Sequence, residues 1–352
     1  MKVSKTVYLF AIACIFLTTA SPGCIDSSNT YLETQNNWTA HKYCLSIDKG
    51  PFMRDALLDD PCVIKENSAY VMYLTGNMGS VGQDVVPYRA TSNDGMNWEI
   101  NPVPLLSKGN TGNDFDFARL ESPSVVFFKG MYHMYYTGVN SLLMGERSIG
   151  HATSTDGIKW SKVKDNPMLT PSGNFFGWNA SQVAEPGVLV FNDKVYLYFS
   201  AVGLQDDGNL SNTKRTIGLA ISDDGYYFGS PIKVLEQGPL YPPHEGYLGY
   251  STPAAVIYEG EVHLFYDVFM KSDNEVPAYV QVALHHAVSP DGIKNWVEDE
   301  DPIFTRDSFS WSKREVRAPT VIVDEGRLKM WFAGDDYLEQ GTFCIGYATY
   351  EG

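Results

Sequence analysis

The sequence predicts an all-β chain built by radial repetition of small antiparallel sheets, and three observations carry that prediction. First, a proline followed by apolar residues recurs five times. The copies are Asp60-Pro61-Cys62-Val63-Ile64, Ser122-Pro123-Ser124-Val125-Val126, Glu185-Pro186-Gly187-Val188-Leu189, Thr252-Pro253-Ala254-Ala255-Val256 and Ala318-Pro319-Thr320-Val321-Ile322. The prolines stand 62, 63, 67 and 66 residues apart. Second, each copy is followed by an aromatic-rich run: Tyr70 to Gly76, Tyr132 to Gly138, Val195 to Ala201, Val262 to Val268 and Leu328 to Gly334. Third, Asp-Gly, a strong signal for a tight turn between strands, recurs at Asp94-Gly95, Asp156-Gly157, Asp224-Gly225 and Asp291-Gly292. A period of this size in a strand pattern means small sheets set around an axis. The expected fold is a five-bladed β-propeller with four antiparallel strands per blade.

The elements follow in chain order. Lys2 and Lys5 precede an apolar stretch from Val7 to Leu17, and small residues follow it. That pattern is a secretory signal peptide, assigned to residues 1–24, and its apolar run is short for a membrane span. Ser21-Pro22-Gly23-Cys24 resembles a lipoprotein cleavage site with Cys24 as the lipidated residue, and ordinary cleavage nearby is the alternative. Residues 25–37 read as a polar tether, and 38–352 as one propeller domain. In the second repeat the strands are Pro123 to Phe128, Tyr132 to Thr137, Ser148 to Thr153 and Trp160 to Val163, with Lys129-Gly130 as a hairpin turn. Trp98, Trp160 and Trp296 follow three of the Asp-Gly turns, and Tyr227-Phe228 takes that place in the third repeat. The fifth repeat lacks a fourth strand. Trp38 to Met53 parallels Trp160 to Leu169, so the N-terminal segment is expected to complete the fifth blade and close the ring, which removes exposed edges. Cys44 then lies beside the strand carrying Cys344, and a disulfide there would staple the closure; buried free thiols are the alternative.

Composition limits the partners. The chain has 352 residues, 44% of them hydrophobic, and a formal charge of −16. That balance argues against a nucleic-acid partner, which needs a basic footprint. No zinc, nucleotide or Ser-His-Asp signature occurs. No cofactor is expected, and a structural cation in the channel stays open. The chain is expected to be a monomer that meets a membrane only through a lipid on Cys24.

Strand order assigns the faces. The first strand of each repeat lines the channel, and its start opens on the same face as the loops between second and third strands, 77–85, 139–147, 202–215 and 269–278. These loops form the natural ligand rim. The Asp-Gly turns lie on the opposite face, and their aspartates are expected to be turn formers. Directly before the repeat prolines stand Asp60, Ser122, Glu185, Thr252 and Ala318, with Glu121, Arg119 and Arg317 close to the same level. Carboxylates packed around a narrow channel are costly unless paired or used. A salt-bridged plug, with Arg317 holding Glu121 or Glu185, is the structural alternative. Glycoside hydrolysis needs two carboxyl groups across a sugar, one donating a proton and the other acting as base or nucleophile. Asp60 and Glu185 could supply them, with Glu121 raising the donor's pKa by like-charge repulsion. Arg119, Arg317, Trp178, Trp311, Tyr250 and His244 are the candidate substrate-binding residues, Trp178 and Trp311 as stacking platforms.

With these residues in place, the sequence resembles the five-bladed propeller glycosidases of glycoside hydrolase families 43, 32, 68 and 130 and their relatives. The likeness covers about residues 38 to 352 and rests on the repeat count, on Asp60-Pro61, and on phrases such as Glu121-Ser-Pro-Ser-Val-Val and Ala152-Thr-Ser-Thr-Asp-Gly-Ile-Lys-Trp160. In family 43 the base is an aspartate of an Asp-Pro in the first blade, which maps onto Asp60. The acid is a glutamate two residues before a third-blade proline, where this chain has Ala184 and puts Glu185 next to the proline. The second-blade modulator follows its proline, where this chain has Ser124, so Glu121 would substitute. The resemblance implies an exported glycoside hydrolase acting on an oligo- or polysaccharide. The departures keep open a non-catalytic carbohydrate-binding propeller. Arg119, Arg317 and Lys313-Arg314 keep open a phosphorylase of the family 130 kind.

Overall fold

The structure is a computed structural model and describes residues 33–35, 37–46, 57–77, 84–141, 146–174, 177–203, 215–236, 247–271, 279–336 and 343–352. The signal segment, Cys24, His244 and most of the rim loops named above lie outside these residues. Among the described residues the chain is all β, with no helix. Strands β1 (Glu33–Gln35) and β2 (Trp38–Ser46) come first. The first repeat forms one sheet, in the order β3 (Leu58–Glu66), β4 (Ala69–Gly76), β5 (Val86–Ser92) and β6 (Glu99–Asn101). The second repeat does the same with β7 (Arg119–Phe128), β8 (Met131–Val139), β9 (Arg147–Ser154) and β10 (Ser161–Lys162).

The third repeat gives β11 (Gln182–Phe191), β12 (Lys194–Val202), β13 (Arg215–Ser222) and β14 (Ile232–Leu235). The fourth gives β15 (Tyr247–Tyr258), β16 (Glu261–Lys271), β17 (Tyr279–Ser289), β18 (Val297–Glu298) and β19 (Phe304–Thr305). These two repeats run into one nine-stranded sheet through a parallel bridge, Arg215 opposite Gly249. The last repeat, β20 (Glu315–Asp324), β21 (Arg327–Asp335) and β22 (Phe343–Tyr350), continues into β2 and β1. Here β2 pairs antiparallel with β22, Trp38 opposite Tyr350, as expected of the N-terminal segment. The sheets themselves are open.

The second strands are buried along nearly their whole length; β4, β8 and β12 show no solvent-facing alternation. Each is covered on both faces by neighbouring sheets, which is why these runs read as continuously apolar and aromatic. The tight turns obey local chemistry. Lys129-Gly130, Glu259-Gly260 and Glu325-Gly326 have both central residues at positive φ, the mirror-image turn that suits strand twist. At the Asp-Gly turns Asp94, Asp156, Asp224 and Asp291 each accept two backbone N–H bonds through Oδ1. Those bonds hold the four carboxyls below the usual range and confirm them as turn formers.

The prolines mark β-bulges. Pairing shifts register at Asp59/Cys62, Glu121/Ser124, Ala184/Gly187, Ser251/Ala254 and Arg317/Thr320. The residue before each proline sits at positive φ: 47° at Asp60, 52° at Ser122, 52° at Glu185, 44° at Thr252 and 49° at Ala318. A non-glycine residue in that region is strained, and a bulge re-aims its side chain. All five face one cavity of about 210 Å³ lined by the five proline segments. Around it β3 packs on β7, β7 on β11, β11 on β15, β15 on β20 and β20 on β3.

Hydrogen bonds from one repeat to the next fix this arrangement. The N–H groups of Ser122, Glu185 and Thr252 donate to Thr75 Oγ1 (2.7 Å), Thr137 Oγ1 (2.7 Å) and Ser200 Oγ (2.9 Å) of the preceding repeat. Ala318 N donates to Asp267 Oδ2 at 3.1 Å. The step from the last repeat to the first differs, because Ala333 stands where the others carry an oxygen. There Asp60 N donates to Asp59 Oδ1 at 2.9 Å, Val63 N to Thr320 Oγ1 at 3.1 Å, and Trp331 Nε1 to the Gly95 carbonyl at 2.7 Å.

The expected Cys44–Cys344 disulfide does not form. Cys44 is buried and not in a disulfide, and its Sγ donates to the Ile345 carbonyl at 3.3 Å. Register is the reason. Ser46, not Cys44, stands opposite Cys344, and an irregularity between His41 and Leu45 displaces the strand. A diagonal neighbour on an antiparallel pair is about 7–8 Å away, beyond disulfide reach.

Candidate active site

The bulges bring Asp60 and Glu185 to the wall of one cavity. Asp60 Oδ2 accepts from Thr75 Oγ1 (2.9 Å), Ser122 N (3.2 Å) and Ser122 Oγ (3.0 Å), so the carboxyl is fixed by the second strand of its own repeat and the bulge of the next. Burial, followed by the negative charges of Asp59, Glu121 and Glu185, holds a proton on Asp60 well above the usual carboxylate range. Glu185 is anchored by its backbone, through N–H to Thr137 Oγ1, and its Oε2 is buried with no hydrogen-bond partner among the described residues. A buried carboxylate oxygen left unbonded is costly in a finished structure.

Glu121 stands one residue outside the cavity-lining Ser122. It is ion-paired with Arg119 at 3.1 Å and Arg147 at 3.8 Å. Its charge still reaches Asp60, so the structure places it beside the carboxyl pair rather than within the cavity wall. Arg119 is 40% exposed at the side chain.

Arg317 is not at the mouth surface. It is buried, with Nε and Nη2 on Asp59 (2.9 Å at the shortest) and Nη1 on Glu315 (2.6 Å) and Asp335 (2.9 Å). This is a plug of the kind weighed from the sequence, but its acids are Asp59, Glu315 and Asp335, not Glu121 or Glu185. Arg314 joins the same acids at 2.9 and 3.4 Å. Arg317 therefore acts on the site indirectly. It holds Asp59, and Asp59 accepts the N–H of Asp60 in place of the oxygen Ala333 lacks.

The aromatic candidates are mostly packing residues. Trp311 is 8% exposed and stacked on Phe309 and Phe332, 5.0 and 5.6 Å between centroids. Tyr250 is fully buried with its hydroxyl donating to Glu298 at 2.6 Å, because the pleat turns it away from Ser251 and the cavity. Neither can stack on a sugar. Trp178 is partly buried and lies on Phe199 at 6.0 Å, its ring filling the space above Gly218. His244 lies outside the described residues. Among the described residues no group of three or more His, Cys, Asp or Glu could hold a metal ion.

Sequence reasoning missed Asp59, Glu315 and Asp267. Asp267 has no exposed surface and accepts from Ser251, Thr252, Gln281 and Ala318 N. Its signal was present: it stands fourteen residues after its repeat proline, where the other repeats have Thr75, Thr137, Ser200 and Ala333.

Comparison with known proteins agrees with this fold. The model of the glycosyl hydrolases family 32 N-terminal domain matches residues 52–211, less than half of the chain. A solved glycoside hydrolase is 17% identical, covering 88% of this chain and 92% of that one, with a TM-score of 0.67. A thermostable family-43 glycoside hydrolase is 15% identical over 85% and 91%, with a TM-score of 0.63. An exo-1,5-alpha-L-arabinanase from a bovine ruminal metagenomic library is 14% identical over 84% and 94%, with a TM-score of 0.60. No curated protein matches the chain. The likeness read from the repeat and from Asp60-Pro61 therefore stands, and the chain has the fold of the propeller glycosidases.

Proposed function

We propose that this chain is an exported glycoside hydrolase, a five-bladed propeller over residues 38–352 that cleaves an oligo- or polysaccharide with carboxyl groups at the channel mouth. The observation that carries the reading is the pair of carboxyls on one cavity wall: Asp60, held by Thr75 and Ser122, and Glu185, whose buried Oε2 has no partner among the described residues. Acid–base cleavage of a glycosidic bond requires one protonated and one ionised carboxyl across the sugar. Following the family 43 pattern, Asp60 is the base or nucleophile, Glu185 the acid, and Glu121 the neighbouring charge that tunes the pair. Arg119 at the rim orients the substrate, and His244 and Trp178 are offered as further contacts. Arabino-oligosaccharides are the first substrates to test, because two of the similar structures are an exo-arabinanase and an endo-arabinase. The enzyme is proposed to need no cofactor, to act as a monomer, and to reach the cell surface through residues 1–24, with Cys24 as a lipid anchor.

The proton on Asp60 favours a second assignment, in which Asp60 donates and Glu185 is the base. The two are separated by an aryl glycoside whose leaving group needs no protonation. On it the acid variant keeps activity and the base variant does not.

The test is a screen of the mature chain against arabino-, xylo-, fructo-, galacto- and manno-oligosaccharides, with and without phosphate, with products read by mass. Phosphate-independent cleavage lost in Asp60→Asn and Glu185→Gln is the expected result. Binding without product would make the chain a sugar-binding propeller, and phosphate-dependent release of a sugar phosphate would make it a phosphorylase.

A further inference from the structure

A second cavity lies away from the carboxyl pair, and the repeat shows how it arises. Eight residues before its proline, the second, third and fifth repeats place an aromatic ring: Phe115, Trp178 and Trp311. Each ring fills the space over glycines of the strands beside it: Gly138 and Gly150, then Gly218, then Gly334 and Gly346. The second repeat uses the smallest of the three rings. Its next residue is the buried Asp116, where the others carry the neutral and equally buried Asn179 and Ser312. Beside Phe115 and Asp116 a cavity of about 580 Å³ remains, between the segment from Leu105 to Asp116 and the outermost strand, β10. That volume lies in the range of roughly 300–1,000 Å³ typical of small-molecule sites. It shares no lining residue with the channel cavity. β10 is the third strand out from β7, which puts about 14 Å of sheet between the two.

The wall suits a neutral ligand rich in hydroxyls. Its charged side chains are Lys108, Lys162, Asp114 and Asp116, whose formal charges cancel. Asp116 is 2% exposed. Its Oδ2 accepts from Lys162 Nζ at 2.5 Å and from the Tyr136 hydroxyl at 3.1 Å. Its Oδ1, over Gly109, takes no hydrogen bond among the described residues. Lys162 has three N–H donors, and among the described residues Asp116 is its one hydrogen-bond acceptor. An acceptor and a donor thus stand side by side with bonding capacity left, and a hydroxyl uses both at once. Leu106 and Trp160 supply the apolar wall that the C–H face of a sugar needs. Packing alone does not require the charges, since Asn179 and Ser312 close the same place in other repeats without them.

We propose that this cavity is a second carbohydrate site, which holds a short stretch of a neutral saccharide at the outer edge of the second repeat. The proposal rests on the reading that carbohydrate is the ligand of this chain, and not on cleavage. A long saccharide that reaches both cavities is held twice, which tightens binding without any new contact at the channel mouth.

The test reads the cavity directly. Mature Glu185→Gln protein, which spares the sugar, is labelled with nitrogen-15 at the tryptophan indoles and titrated with neutral arabino-, xylo-, fructo-, galacto- and manno-oligosaccharides to about ten times a millimolar Kd. The Trp160 resonance is assigned by its loss in Trp160→Phe, which copies Phe228 of the third repeat. At least one oligosaccharide is expected to move that resonance to saturation. A Trp160 signal that none of them moves overturns the proposal. The titration is repeated with Asp116→Asn, copying Asn179, and with Phe115→Trp, copying Trp178 and narrowing the cavity. Each places in the second repeat a residue that the fold already carries at that position. Either is expected to weaken binding about tenfold. Parental affinity in a variant that keeps parental stability overturns the proposal. A parent that cleaves no glycoside refutes the hydrolase reading instead, and the Trp160 titration still decides the site.

Discussion

Replacing Arg317 with methionine should destabilise the protein by about 3–5 kcal/mol at pH 8, the cost of removing one partner from a buried ion cluster. Arg317 is 8% exposed at the side chain, and its partners Asp59, Glu315 and Asp335 are 13%, 8% and 0% exposed, so solvent cannot replace the lost charge. Arg314 would remain to serve Glu315 and Asp335, at 2.9 and 3.4 Å, but among the described residues no ion pair would remain on Asp59. The loss should shrink on acidification. Burial, outweighing the attraction of Arg317, already pushes Glu315 up to about 7, and a cluster stripped of one cation can neutralise itself by taking up a proton there. The sign is the reverse of an ordinary paired carboxylate: Glu315 binds its proton more tightly folded than unfolded, so its own contribution to stability falls as pH rises from about 4.5 to about 7. The assay is guanidinium unfolding of the parent, Arg317→Met, Asp59→Asn and the double variant, at pH 8 and pH 6. A coupling above about 1 kcal/mol between Arg317 and Asp59 is expected. A loss below about 1 kcal/mol, or an equal loss in the Asp59→Asn background, would refute the argument.

Two further outcomes follow from the same structure. Burial lowers His151 to about 3 and His263 and His285 to about 4, so these imidazoles are neutral when folded and protonate when unfolded. Stability should therefore fall below pH 6.5 by about 1.4 kcal/mol per pH unit for each such histidine still neutral, and a denaturation midpoint that is flat from pH 7 to pH 5 would contradict it. Trp311→Ala should cost about 3–5 kcal/mol, as a large core deletion does, while leaving sugar affinity of the folded protein unchanged. Titration calorimetry showing about tenfold weaker binding at parental stability would return Trp311 to the binding surface.

Much of the fold was legible because the proline repeat does two things at once. It marks where each inner strand bulges, and its period places the same bulge in register from copy to copy. The Asp-Gly turns were legible for a local reason, since Asp and the following N–H groups suffice to form them. Trp311 was misread for a non-local one. A tryptophan in a loop leading to an inner strand looks like a ligand platform until the glycine beneath it is known. A Cβ at Gly346 would come within 2.6 Å of the Trp311 ring, so this glycine vacates the space that the ring fills. Cys44 was misplaced by an irregularity of β2 that shifts its register by two residues against β22, and nothing in the local sequence announces that irregularity. Asp267 was missed because only its alignment with the hydroxyls of other repeats makes a strand aspartate conspicuous.

The candidate site is the fold's own repeat with its chemistry changed at a few positions. Every copy strains the residue before its proline and points it into the cavity, and where that residue is Ser122, Thr252 or Ala318 the result is structural. Where it is Asp60 or Glu185 the same strain aims a carboxyl. The supports change in step. Hydroxyls anchor the bulges of Ser122, Glu185 and Thr252, whereas charged groups anchor those next to the seam: Asp267 for Ala318, and Asp59, held by Arg317, for Asp60. Asp60 thus stands where the last repeat meets the first, and the ion cluster that joins them also fixes its backbone. Stability of the seam and placement of the carboxyl are one requirement, which is why Arg317 lies buried behind the mouth when its position in the sequence suggested a ligand contact.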